Sequence, residues 1–275
     1  MGSNPTPTVA EACAGLVNHG TTRPRILRVA PGEHAGAWAQ ALEGLSERSP
    51  GSRILKQEGS DAVWACALLG RSVIVKRRHT SGLGELARRM VGITRAERQW
   101  RGCTLLRHAG IPTAQCLILA RASESEWLVM EELPGQSLLS ELAKSEMSAA
   151  AVRALAAGVG ELVSSMAAAK LFNRDQKPSN IIATKLDTSR AELAVIDTVG
   201  VRRCPSWRED FTVRMLASLV IEPRGTGILI PRTAMMRALA RVARDRTRRR
   251  ELWRRVERAV RGHGDPTPKV DPLSR

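Results

Sequence analysis

Tyrosine is absent from this chain of 275 residues, and phenylalanine occurs only twice. With aromatics at 3% of the composition, stacking platforms for single-stranded nucleic acid are scarce. Cysteine is scattered: Cys13, Cys66, Cys103, Cys116 and Cys204 are odd in number and form no Cys-x-x-Cys pair. That spacing excludes a zinc knuckle or a disulfide framework and leaves reduced, buried thiols of a cytoplasmic protein as the reading. No uninterrupted apolar run approaches the ~20 residues needed to cross a bilayer. The opening stretch MGSNPTPTVAEACAGLV lacks the basic head and long apolar core of a secretory signal. It does match the short Met-Gly-x-x-x-Ser/Thr pattern of N-myristoylation, with Pro5 inside it.

What the chain has in excess is positive charge. Its formal net charge is +16, which calls for an anionic partner: nucleic acid, a membrane face or a phosphorylated substrate. The excess is almost all arginine, 36 against seven lysines. A bias of that size also follows from base composition, so charge alone decides little. A hydrophobic content of 43% suits a globular protein, and the length allows one large domain or two small lobes.

Residues 1–50 are rich in Ala, Gly and Pro and carry one helical run, EHAGAWAQALEGL; they read as an extension. The texture changes at Arg53. RILKQEG, AVWACALL and RSVIVKRR are β-rich runs split by short turns, which predicts a three-stranded antiparallel meander. GELARRMVGITRAERQWRGCTLLRHAG predicts an amphipathic helix, ended by Gly110 with Pro112 just beyond. AQCLILAR and EWLVMEEL then add two strands, giving five with one helix between the third and fourth. After Pro134 the pattern turns helical, through SLLSELAKS and an Ala-rich run to Lys170. From Trp207 to Gly262 it is helical and basic, with Leu252, Val256 and Val260 at four-residue spacing beside Trp253, a single apolar stripe. The tail from Gly264 has the composition of a disordered segment.

One stretch carries chemistry. Leu171–Ile182 reads LFNRDQKPSNII. A hydroxyl that attacks phosphate must be positioned, and its proton accepted, by a fixed carboxylate, the place held by Asp175. Lys177 can offset charge developing on a transferred phosphoryl group. Five residues beyond Asp175, Asn180 offers an amide oxygen to Mg²⁺, a hard cation that takes oxygen ligands. Asp197 follows in LAVIDTVG. The intervening strand, turn and strand predict a hairpin that brings Asn180 and Asp197 to one end. Upstream, Lys76 ends a strand where an ammonium can hold ATP phosphates, and Glu97 on the next helix can pair with it. Backbone groups of Glu131 and Leu133 are candidates for the adenine contact, with Met130 lining the pocket, and Gly59 in EGSDAV for the loop over the phosphates. Each residue alone has an ordinary reading. Glu97 suits a solvated helix face, Gly59 a hairpin turn, and Asp-x-Lys-Pro-x-Asn a surface turn.

Taken in order, SVIVK, RAERQW, LVMEELPG, NRDQKPSN and VIDTVG resemble the protein-kinase-like fold. ERQWRGCTLLRHAGIPTAQCLILA is similar, more narrowly, to the lipopolysaccharide kinase family, the Kdo/heptose kinases. The resemblance covers about Arg53 to Gly262. It implies an α+β, bilobal fold: a nucleotide-binding lobe over 51–133, a small antiparallel sheet with one main helix, and a mostly helical catalytic lobe over 134–262. Residues 1–50 would be an extension and 263–275 a disordered tail. It further implies ATP and Mg²⁺, with Asp175 as base, Asn180 and Asp197 as metal ligands, and Lys76 with Glu97 as the nucleotide-positioning pair. The implied acceptor is a sugar hydroxyl of a glycolipid, met in the cytoplasm at the inner membrane face. The eleven arginines of Arg237–Arg261 would dock there on anionic headgroups, unless they are only a solvated face. No recognition motif points to a specific nucleic acid. Asn173 stands where the family has histidine, Thr198-Val199 where it has Phe-Gly, and one glycine serves where eukaryotic-type kinases have three. Ser/Thr protein or small-molecule phosphotransfer, and a pseudokinase or basic binding module, remain the alternatives.

Overall fold

The computed structural model describes residues 24–80, 83–122, 124–144 and 147–264. The myristoylation pattern and the tail from Asp265 lie outside them. Part of the expected extension belongs to the fold. Strand β1 (Arg25–Val29) pairs antiparallel with β5 (Cys116–Ala122), and helix α1 (Ala35–Leu42) buries Trp38 and Leu42. RILRV is easily missed because it is an edge strand: its ends are exposed arginine and valine, and only Ile26 and Leu27 pack inward.

Strands β2 (Arg53–Glu58), β3 (Asp61–Leu68) and β4 (Arg71–His79) form the predicted meander. Two-residue turns set its register. Leu69 and Gly70 both have positive φ, 50° and 74°, the backbone of a turn whose twist matches that of the strands it joins. With β6 (Ser125–Glu131) the sheet has six antiparallel strands, ordered β1-β5-β6-β4-β3-β2, one more than predicted. One face packs Trp38, Trp64, Val73, Val75 and Ile118. Trp64 meets Trp127 edge to face at 5.9 Å, and Arg77 stacks on both rings while pairing with Glu47 at 3.0 Å.

The other face is covered by a helix, and the single helix expected before β5 is in fact two. Between α2 (Leu83–Met90) and α3 (Arg95–His108), Gly92 turns with φ 63° and Thr94 caps α3, its hydroxyl accepting from the Glu97 N–H at 3.2 Å. Helix α3 packs Cys103 against Cys116, Leu119, Leu128 and Met130.

Beyond the sheet come β7 (Gln136–Ser137), α4 (Leu138–Leu142), α5 (Ala149–Ala168), β8 (Leu171–Asn173), β9 (Ile181–Leu186), β10 (Ala191–Val195), β11 (Val201–Arg203), α6 (Glu209–Gly225), α7 (Arg232–Val242) and α8 (Arg246–Gly262). Two small sheets, β10-β9-β7 and β11-β8, lie among these helices. Helix α5 is long and apolar enough to cross a membrane by length and composition. It nonetheless buries Leu155, Val163 and Met166 in the helical core. Its Gly160 allows the closest approach to α7, since an added Cβ would lie 2.2 Å from the Ala238 carbonyl oxygen. The stripe of α8 is buried as predicted. Its Arg248 and Arg255 take the acids of the first turn of α6: Arg248 pairs with Glu209 at 2.5 Å, and Arg255 with Asp210 at 2.6 Å and with Glu209. The four described cysteines are free and buried, as expected.

Sheet and helical regions are joined through backbone. Val195 N–H donates to Pro112 O at 3.0 Å, and the Thr113 hydroxyl to Val195 O at 2.6 Å. The chain is thus a mixed α and β protein built on an antiparallel sheet.

Candidate functional site

The loop between β8 and β9 is held from three sides. Asn173 is fully buried; its Nδ2 donates to Gln176 Oε1 at 2.8 Å and its Oδ1 accepts from the Asp175 N–H at 3.0 Å. Asn173 is therefore the internal brace of the loop. From α6, Glu222 accepts both the backbone N–H and the hydroxyl of Ser179, at 2.8 and 2.6 Å. From the start of β11, Gly200 presses on the loop so closely that a Cβ would sit 2.8 Å from Asn173 Oδ1 and 2.9 Å from Asp175 Oδ2. Pro178 opens a single 3₁₀ turn ending at Asn180.

The predicted hairpin brings Asn180 and Asp197 to one end. Val195 stands opposite Ile181, and the Ile196 N–H donates to the Asn180 carbonyl at 3.0 Å. Asn180 Nδ2 is spent on the Asp175 carbonyl at 3.1 Å, which leaves its Oδ1 as the atom to offer. Asp197 Oδ1 accepts from the Val199 N–H at 3.3 Å. Its Oδ2 lies 3.6 Å from Arg95. Two oxygen donors on adjacent strand ends suit a hard divalent cation. Among the described residues no group of three His, Cys, Asp or Glu side chains offers another metal site.

Lys76 reaches this end from the sheet, but Glu97 does not hold it. Lys76 Nζ donates to Gln99 Oε1 at 3.1 Å. Glu97 faces the other way, its carboxylate beside Gly92 and 3.9 Å from Arg101. The physical reason is position within the helix: Thr94 and Glu97 are the N-cap and third residue of α3, which turns Glu97 toward the helix start. Gln99 is 3% exposed and is the junction of the site. Besides accepting from Lys76, its Nε2 donates to the Ile196 carbonyl at 3.1 Å and touches Met130 Sδ at 3.0 Å. Its own carbonyl accepts from the Thr198 hydroxyl at 2.6 Å. An uncharged partner leaves the ammonium exposed to the penalty of burial, which lowers the Lys76 pKa; the nearby Asp197 carboxylate opposes that fall.

On the connector, the Glu131 N–H is taken by the Gln115 carbonyl at 2.9 Å. Leu133 makes no backbone–backbone hydrogen bond among the described residues. Gly59, with φ 58°, serves the β2–β3 hairpin turn, with Glu58 directly opposite Asp61. Lys177 is exposed beside Asp175, and its N–H donates to the Asp175 carbonyl at 2.8 Å. Both carboxylates already face arginine, Asp175 at 3.1 Å from Arg174 and Asp197 near Arg95. The pair raises the pKa of Arg174.

Sequence reasoning missed Gln99, Glu222 and Gly200. Gln99 had a signal: it lies on the turn after a Thr-x-x-Glu cap, one helical turn from Cys103 and thus on the face toward the sheet. Glu222 had none, since it meets Ser179 only through the packing of α6. Against known proteins, no family model matches the chain, and no curated protein matches it significantly.

Proposed function

We propose that this protein is a kinase with a protein-kinase-like, bilobal architecture, which transfers the γ-phosphate of ATP to a hydroxyl. What supports the reading is one juxtaposition: Asp175, Asn180 and Asp197 are tied together by the β9–β10 hairpin, and Lys76 comes to Asp197 from the sheet. In this scheme Asp175 orients the acceptor hydroxyl and takes its proton. Lys177 stands beside it to meet the charge of the transferred group. Asn180 Oδ1 and Asp197 would hold Mg²⁺, which when bound supplies charge neutralisation on the phosphates. Lys76 would grip the phosphates, positioned by Gln99 in place of Glu97, and the connector at Glu131 and Leu133 would take the base.

The acceptor we assign is a sugar hydroxyl of a lipopolysaccharide-core-like glycolipid, on the resemblance of the α3–β5 segment and on the basic carboxy-terminal helices. Arg246, Arg250, Arg254 and Arg258 form an exposed i, i+4 row on α8 with no ion pair among the described residues. Such a row fits an anionic membrane face and hence a cytoplasmic protein at the inner membrane surface. Radiolabel moving from ATP into extracted lipid, rather than into protein or small molecules, is the expected result. A second reading, a nucleotide-responsive module without turnover, is favoured by the uncharged Gln99 and by the arginines on both carboxylates.

MgATP is expected to raise the melting temperature of the wild type and not that of Asp197→Ala. Absence of any shift in the wild type would sink the kinase reading, and a shift without transfer would leave the second. A pH profile tests the assignment of Gln99. Lys76 grips phosphate only when protonated, and its pKa lies below the ordinary lysine range. Nucleotide affinity is therefore full below that lowered pKa and is lost as pH rises through it. Gln99→Glu places a carboxylate beside Nζ, raises the Lys76 pKa and moves this limb to higher pH. An unmoved limb would remove Lys76 or Gln99 from the site.

A further inference from the structure

Beside the loop that carries Asp175, two arginines share one aromatic ring. The Cζ atoms of Arg202 and Arg214 each lie 5.5 Å from the centroid of Phe172. Arg202 stands directly opposite Phe172 in the β8–β11 pair, and Arg214 reaches the ring from α6. The ring is a fixed mount: Phe172 is 2% exposed and packs on Phe211 at 4.9 Å, which in turn meets Trp207 at 5.4 Å. Both arginines are exposed.

Among the described residues neither guanidinium pairs with an acid. The nearest carboxylates along α6, Glu209 and Asp210, are committed to Arg248 and Arg255 of α8, and Asp210 also to Arg208. Arg202 and Arg214 make no ion pair or side-chain hydrogen bond among the described residues. Two like charges are thus held on one ring with every local counter-charge drawn elsewhere, an arrangement that an oxyanion completes. Guanidinium forks match phosphate and carboxylate oxygens in pairs, and stacking on the ring fixes their planes in advance.

The location ties this pair to the reaction. Phe172 immediately precedes Asn173, and Asp175 is three residues on. Arg202 is two residues along the chain from Gly200, at most about 7 Å from Cα to Cα, and an added Cβ on Gly200 would meet the Asp175 carboxylate. We propose that Arg202 and Arg214 form the acceptor-anchoring site, binding a phosphate or carboxylate carried by the acceptor molecule a few ångströms from the hydroxyl that is phosphorylated. This rests on the kinase reading for its purpose, though not for the binding itself. It narrows the substrate class to hydroxyl compounds that already bear an anionic group.

The test is equilibrium binding to the full chain of glucose 1-phosphate, inorganic phosphate and glucose. Three proteins are compared: wild type, Arg202→Gln/Arg214→Gln, and Arg28→Gln/Arg153→Gln, which removes the same charge from exposed positions on β1 and α5. All four positions are exposed, so equal melting temperatures are expected. Glucose 1-phosphate should bind the first double variant at least about 10-fold more weakly than wild type, as loss of charge-assisted hydrogen bonds implies, and the control like wild type. Glucose alone should bind none of them. An equal loss in the control would reduce the effect to bulk charge and overturn the site, as would no loss in the first double variant. Inorganic phosphate binding wild type as tightly as glucose 1-phosphate would overturn the assignment to the acceptor in favour of a free anion. The MgATP melting shift, read on the same samples, separates the two ideas. Its absence in wild type defeats the kinase reading, while the binding comparison still decides the arginine pair.

Discussion

Asp175→Asn is expected to slow phosphate transfer by roughly 10²–10⁴-fold, the range that a positioned general base contributes, with folding and MgATP binding retained. The carboxylate is partly exposed, and its ion partner Arg174 is more so. Removing such a pair costs about 0–1 kcal/mol of stability. The contacts that shape the loop run through backbone instead: the Asp175 N–H to Asn173, and the Asp175 carbonyl to Asn180 and Lys177. They survive the change, and the amide has nearly the same volume beside Gly200. Initial rates at saturating MgATP, set beside melting curves with and without it, separate a lost base from a lost fold. Transfer at the wild-type rate would take Asp175 out of the chemistry.

Gly102→Ala should give the largest loss of stability among single methyl additions on α3. A Cβ there would lie 2.0 Å from the Thr198 carbonyl oxygen and 2.9 Å from its carbonyl carbon and Cβ. None of these is the free end of a flexible side chain, so either α3 or the loop after Asp197 must move. The gain in helix propensity on replacing glycine is about 1 kcal/mol, while overpacking of this kind costs about 1–3 kcal/mol or more; with backbone 2.0 Å away, the clash wins. A drop in melting temperature of several degrees, at about 2–4 °C per kcal/mol for a protein of this size class, is the expected readout. The displaced parts carry Gln99 and Asp197, so the MgATP shift should shrink as well. Gly36→Ala on α1, where an added methyl meets nothing within 4 Å, serves as the control and should not destabilise. A Gly102→Ala protein as stable as wild type would mean that α3 does not press on this loop.

The strands of the meander were legible because their turns are two residues long and the runs between them are apolar and rich in β-formers. Trp64, Val73 and Val75 mark one buried face without ambiguity. The β9–β10 hairpin was legible from two apolar runs split by the turn at 187–190, and with it the meeting of Asn180 and Asp197. The α2–α3 break was written in the sequence, in Gly92 and in Thr94 with Glu97 three residues on. Overlooking that cap led directly to Glu97 being cast as the partner of Lys76. A residue whose backbone N–H serves the first turn of a helix faces back along it, whereas Gln99, two residues later, faces the sheet. Strand β1 was not legible, because an edge strand with arginine at alternate ends buries too little to leave a period. Nor was Glu222, whose value to Ser179 depends on how α6 crosses the loop, 43 residues away in sequence.

The place of β1 in the sheet has a consequence for how the chain is made. Arg25 stands opposite Arg121, so the first strand has no partner until the fifth has been synthesised. At translation rates of roughly 5–20 residues per second, that interval is on the order of 5–20 s. During it Trp38, fully buried in the finished protein, can meet the meander residues Trp64, Val73 and Val75 but not yet Ile118 of β5. Strand β1 is thus made before its partner and paired only after β5 has followed. A carrier fused ahead of Pro24 would hold an edge strand in waiting, and its linker must let that strand travel back to β5.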